Sequence, residues 1–71
     1  MKDVLCSNNP AEIAFAEALL AGEGITAFVL DVHMSILEGA AGAIPRRLVV
    51  ADRDAFMARA ILRDNGLPAS S

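Results

Sequence analysis

The sequence predicts a small α+β domain of order β-α-β-β-α, with two helices on one face of a mixed sheet. Three observations carry this expectation. Two segments, Ile25 to His33 and Arg46 to Ala51, are dense in β-branched and other apolar residues. Two others, from about Pro10 to Ala21 and from about Asp52 to Asn65, repeat apolar residues at helical spacing between recognisable start and stop signals. The chain has only 71 residues, which leaves room for one domain, drawn here as residues 1–67 with a short flexible tail at 68–71.

The first strand is the weakest. Lys2 to Ser7 alternates Val4 and Cys6 against Asp3 and Leu5. The helix that follows has a dense start: Asn9 suits the N-cap, Pro10 takes the first helical position, and Glu12 stands where it can reach back to the cap. Ile13, Ala16 and Leu20, with Leu19 beside them, form a stripe for the sheet, and Glu17 points to water. Gly22 and Gly24 end the helix, one of them in a left-handed conformation.

The second strand is apolar on both parities, Phe28, Leu30 and Val32 on one and Ile25, Ala27 and Val29 on the other, the latter continuing into Asp31 and His33. The third repeats this, with Leu48 and Val50 against Val49 and Ala51 behind Arg47. A strand apolar on both faces is normally covered on both. Two helices on one side leave the other face for a second protomer, and the pattern does not say which parity meets the helices. The last helix turns Ala55, Ala58, Ile61 and Leu62 inward and Arg59 and Arg63 outward, leaves Phe56 half-exposed, and is closed by Asn65-Gly66 before Pro68. A right-handed crossover followed by an antiparallel hairpin makes a ferredoxin-like half-sandwich that lacks a final strand.

Composition narrows the function. Of the residues 55% are apolar, but 14 of these are alanine, so the core is thin. A domain of this size gets only about 3 to 5 kcal/mol from its core without a staple or a partner. One cysteine closes no intrachain disulfide, and one cysteine with one histidine falls short of a structural zinc. A net charge of −3 argues against nucleic acid as partner. The opening Met1-Lys2-Asp3 lacks a signal peptide's apolar region and no apolar run reaches membrane-spanning length, so a cytoplasmic homo-oligomer, dimer or trimer, is expected.

Chemistry-bearing residues gather around the 33–45 connection. Asp31 and His33 project from one face about 6.6 Å apart, and Arg46 and Arg47 open the neighbouring strand. If the connection closes a hairpin, one arginine falls beside the acid and the imidazole, in a cluster able to hold a carboxylate or phosphate. The alternative is an Asp–Arg pair at a subunit contact with His33 as an interface residue. Met34, Ile36 and Leu37 are apolar where a loop should be wet, so they either fold back onto the sheet or meet a partner. Gly39-Ala40-Ala41-Gly42 lacks the lysine and serine of a phosphate-binding loop. A metal site from Cys6, His33 and Glu38 needs a contact that the spacing does not supply, and no nucleophile has an orienting partner. No enzyme, metal or cofactor is expected.

Three stretches carry a family resemblance: the N-P-A-E opening at Asn9 to Glu12, the A-L-L-A-G-E-G-I segment from Ala18 to Ile25, and D-V-H-M-S-I-L-E-G-A-A-G-A-I-P-R-R-L-V-V-A-D from Asp31 to Asp52. They resemble the small bacterial proteins called putative prokaryotic signal-transducing proteins, whose fold is similar to that of the PII nitrogen-regulatory proteins. The resemblance spans roughly Met1 to Leu67 and implies a PII-like fold and a signalling role. PII proteins bind nucleotide and 2-oxoglutarate between the subunits of a trimer and contact partners through a long loop after their second strand. The segment from His33 to Pro45 occupies the corresponding place but is much shorter, and no PII nucleotide-binding motif is matched. The reading is therefore a non-enzymatic regulatory module that self-associates and uses residues 33–47 to bind a small anion or a protein. The alternative is a structural subunit or small partner of a larger assembly with no ligand of its own.

Overall fold

The computed structural model describes residues 1–31 and 45–70. Its elements are β1 (Lys2–Ser7), α1 (Pro10–Gly22), β2 (Ala27–Asp31), β3 (Arg46–Val50), a 3₁₀ turn (Asp52–Asp54) and α2 (Ala55–Asp64). The sheet order is β1-β3-β2, and β3 pairs antiparallel with both neighbours. The expected mixed sheet is thus corrected to a purely antiparallel one among the described strands. The helical crossover does return β2 parallel to β1, but β3 lies between them and runs against both.

Both helices are fixed at their ends by local chemistry. Asn9 caps α1, its Oδ1 accepting from the Ala11 N–H at 3.0 Å, with Pro10 next in line. The Asn9 N–H itself donates to Ser7 Oγ at 3.0 Å, so serine takes the place foreseen for Glu12. The two C-termini use one device. Ile25 N–H donates to Leu20 O and Gly24 N–H to Ala21 O, and Leu67 and Gly66 repeat this with Leu62 and Arg63. This six-to-one and five-to-two pair is the Schellman closure, which needs a left-handed residue. Gly24 at φ 76° and Gly66 at φ 79° supply it. Each closure also folds an apolar residue back onto the core: Ile25 is buried there with Leu20, and Leu67 packs against the cluster that holds Leu62.

The core is a single layer between helices and sheet. Ile13, Ala16 and Leu20 of α1 and Ala55, Ala58 and Leu62 of α2 join Val4, Leu5, Leu48 and Val50 in one cluster. Alternation alone would send only one of Val4 and Leu5 inward. A register shift between Asp3 and Leu5 inserts an extra residue, and both become fully buried. Ala27 and Val29 pack against the same cluster, so the helices cover their parity of β2. The opposite face carries Phe28, Leu30, Val49, Arg47, Asp3 and Cys6.

The two closing glycines and the last helical one make opposite predictions. A Cβ at Gly22, Gly24 or Gly66 would meet nothing within 4 Å, so backbone conformation alone decides the effect. Gly24→Ala should lower the unfolding free energy by about 1 to 2 kcal/mol. Gly22→Ala, inside the helix, should raise it by up to about 1 kcal/mol. Urea denaturation of the two variants measures both shifts.

Candidate functional site

The β2–β3 register decides how the expected cluster is built. Arg46 is the Cα partner of Asp31 and, across β3, of Ser7. Arg47 stands opposite Leu30 and Cys6. Consecutive residues of a strand point to opposite faces, so the two arginines diverge. Arg46 shares a register position with Asp31, as expected of one arginine. Arg47 lies on the uncovered face, where its Nη1 donates to Asp3 Oδ1 at 3.5 Å. Both partners are well exposed, so the pair contributes roughly 0 to 1 kcal/mol. His33, Met34, Ile36 and Leu37 lie outside the described residues. Among the described residues no group of three His, Cys, Asp or Glu side chains gathers as a metal-binding set.

The face that no described helix covers, called the uncovered face below, is built from two cross-strand rows, Asp3–Val49–Phe28 and Cys6–Arg47–Leu30. Val49, the fourth of the five residues of the central strand, is only 3% exposed, although the helices pack on the other side. Phe28 and Leu30 beside it are 51% and 41% exposed. A nearly buried apolar residue thus stands beside an exposed aromatic and an exposed aliphatic one, with a charged pair at the margin. Phe28 and Leu30 were not among the expected binding residues. Their signal was the alternation of β2, which separates them from Ala27 and Val29 once the helix-covered parity is known. Cys6 is exposed on the same face.

All three aromatic residues of the chain stand outside the core, since Phe15 on α1 and Phe56 on α2 are exposed as well. At 83% Phe56 is far more exposed than the half-exposure foreseen. Arg59 corrects a second expectation. Instead of pointing outward, it crosses the edge of β1, and its Nη2 donates to the Asp3 carbonyl at 2.9 Å. The bulge explains this, because it offsets the strand at Asp3 and presents that carbonyl to a long side chain. Arg63 is exposed, as expected.

One ion pair sits at the corner where β1 meets the 3₁₀ turn. The amino group of Met1 lies 2.7 Å from Asp52 Oδ1. Its hydrogen bond and charge, with a smaller contribution from Lys2, hold the Asp52 carboxyl below its usual value of 3.8. A carboxyl depressed in the folded state adds stability that is full above the unfolded value and is lost as pH falls through the folded one. Asp52→Asn should therefore lower the melting temperature at neutral pH, and the difference from the parent should close as the pH drops below the usual carboxylate range. Thermal unfolding along an acid titration checks this; a constant difference at every pH would count against it.

No described helix is long and apolar enough to cross a membrane. Residues 1–66 match the family model described as putative prokaryotic signal transducing protein. No curated protein matches the chain.

Proposed function

The chain belongs to the putative prokaryotic signal transducing protein family, and from that premise we propose that it is a non-enzymatic regulatory module, ferredoxin-like and PII-like in architecture. It self-associates through the uncovered sheet face and engages a small anion or a protein partner through residues 33–47. The β1-β3-β2 order supports the architecture, since a crossover followed by an antiparallel hairpin produces it and leaves β1 at an edge where a fourth strand would pair.

The observation that carries the reading is the Phe28–Leu30–Val49 patch. A lone exposed leucine is ordinary, but an aromatic and an aliphatic residue beside a buried valine of the central strand, on the face opposite the helices, make a contiguous apolar surface. Arg47 borders that patch and Arg46 opens the same strand, so an anion or acidic partner held at the 33–47 segment would lie next to the subunit contact. Binding and assembly would then be coupled, which is what a signalling module requires.

A structural subunit of a larger assembly is the second reading, favoured by Phe56 and Met57, both exposed on α2 away from the sheet. The two differ in what remains after purification. A self-associating module forms oligomers of this chain alone. Sedimentation velocity at micromolar concentration should return a dimer or larger species for the parent chain and a smaller one for Phe28→Lys, while Arg46→Ala and Arg47→Ala should weaken binding of inorganic phosphate or a dicarboxylate in a thermal-shift titration. A parent chain that stays monomeric would remove the self-association, and unchanged anion response in both arginine variants would remove the site.

A further inference from the structure

Arg47 and Asp3 meet more loosely than a tight ion pair does. One nitrogen, Nη1, stands 3.5 Å from one oxygen, Asp3 Oδ1. A charge-assisted bond closes to about 2.7 to 2.9 Å, and a guanidinium fork holds a carboxylate or phosphate best through two parallel N–H groups. Both side chains keep much of their surface in water, 42% for Arg47 and 47% for Asp3. Among the described residues the Arg47 side chain has no other hydrogen bond or ion pair. Its neighbours in the same cross-strand row are Cys6 and Leu30, and Val49 and Phe28 belong to the next. Asp3 is thus the acid that these two rows bring to Arg47.

The backbone of Asp3 is held where its carboxylate is not. The register shift between Asp3 and Leu5 offsets the strand, and Arg59 of α2 donates from Nη2 to the Asp3 carbonyl at 2.9 Å. The two arginines therefore do different work. Arg59 ties the helix layer to β1 through a backbone group that any residue at position 3 supplies, while Arg47 meets only the side chain. Arg59 also keeps a buried Nε without a hydrogen-bond partner among the described residues. A carboxylate that leaves Arg47 still has a guanidinium bonded to its own residue, which lowers the electrostatic penalty of leaving.

We propose that Asp3 is the resident anion of Arg47: it occupies the guanidinium until a phosphate or dicarboxylate displaces it, and so sets the concentration at which the site responds. This rests on the reading that Arg47 holds an anion, and adds the residue that opposes the binding. Two effects act together. The pair must first be broken, and exposed pairs of this kind favour the closed state by a factor of at most about five. The displaced carboxylate then stays close to the incoming anion, and two like charges about 4 Å apart in water weaken binding by roughly another factor of five. A ligand able to engage two N–H groups at once has the better geometry, so the resident yields to it.

Titration of the full chain with inorganic phosphate at low ionic strength, followed by phosphorus NMR, tests this. Asp3→Asn removes the charge and keeps the carbonyl on which Arg59 depends. It should bind phosphate about five to twenty-five times more tightly than the parent, while Asp3→Glu, which keeps the charge, should stay near the parent. Arg47→Ala should lose the binding, and adding Asp3→Asn to it should restore nothing, because the effect of Asp3 passes through Arg47. In about 1 M sodium chloride, where charges are screened beyond roughly 3 Å, the gain in Asp3→Asn should shrink. Circular dichroism checks that each variant is folded, and Asp3→Ser takes the place of Asp3→Asn if that one is not. Equal affinity in parent and Asp3→Asn, with binding lost in Arg47→Ala, overturns the role of Asp3 and leaves the anion site standing. The same gain with and without Arg47 would reduce Asp3 to general surface charge and also overturn it. Absence of binding in the parent and in Asp3→Asn alike removes the anion site, and the resident anion with it.

Discussion

A sheet apolar on both faces with helices for only one of them is the constraint from which the rest of this molecule follows. Both helices deliver their buried residues to one cluster with Leu48 and Val50. Val49, between those two in sequence, points the other way and is nearly as well shielded. A small domain is short of interior to begin with, since it buries only about 60% of the surface its unfolded chain exposes. Placing Phe28 and Leu30 outside the single core layer makes that shortage specific. Phe28 and Leu30 of β2 keep 51% and 41% of their surface exposed.

Other features extend the burial that the one layer provides. The bulge in β1 turns two consecutive residues, Val4 and Leu5, inward where regular alternation would give one. Each helix ends in a Schellman closure that folds the next apolar residue, Ile25 or Leu67, back under it. The segment after α2 continues along β1 and bonds to Val4. Local chemistry thus recovers apolar burial at the margins, while Phe28 and Leu30 on the face opposite the helices stay exposed.

Much of this was legible in the residues themselves. Asn9-Pro10 and the two glycine stops placed both helices, and the stripes Ile13–Ala16–Leu20 and Ala55–Ala58–Leu62 are those buried. What escaped is what depends on pairing. A mixed sheet was inferred from the parallel course of β1 and β2, but adjacency is not written in strand direction, and β3 separates them. The residues said that one of Arg46 and Arg47 falls beside Asp31 but not which; neighbouring residues of a strand face apart, and only the register gives that position to Arg46 and sets Arg47 beside Asp3 on the face opposite the helices. Arg59 read as solvated because helical periodicity cannot foresee a bulge on another strand. Asp31 and Arg46 do share a register position.

The central claim is that the folded monomer lacks a layer and gains it from a second chain. If so, unfolding is linked to dissociation, and the melting temperature depends on mass action. Thermal unfolding of the chain across a hundredfold range of protein concentration tests this most directly. The account predicts a midpoint that rises steadily with concentration. A midpoint that stays constant over that range, with a cooperative transition at every point, would show that the single layer is enough and would contradict it.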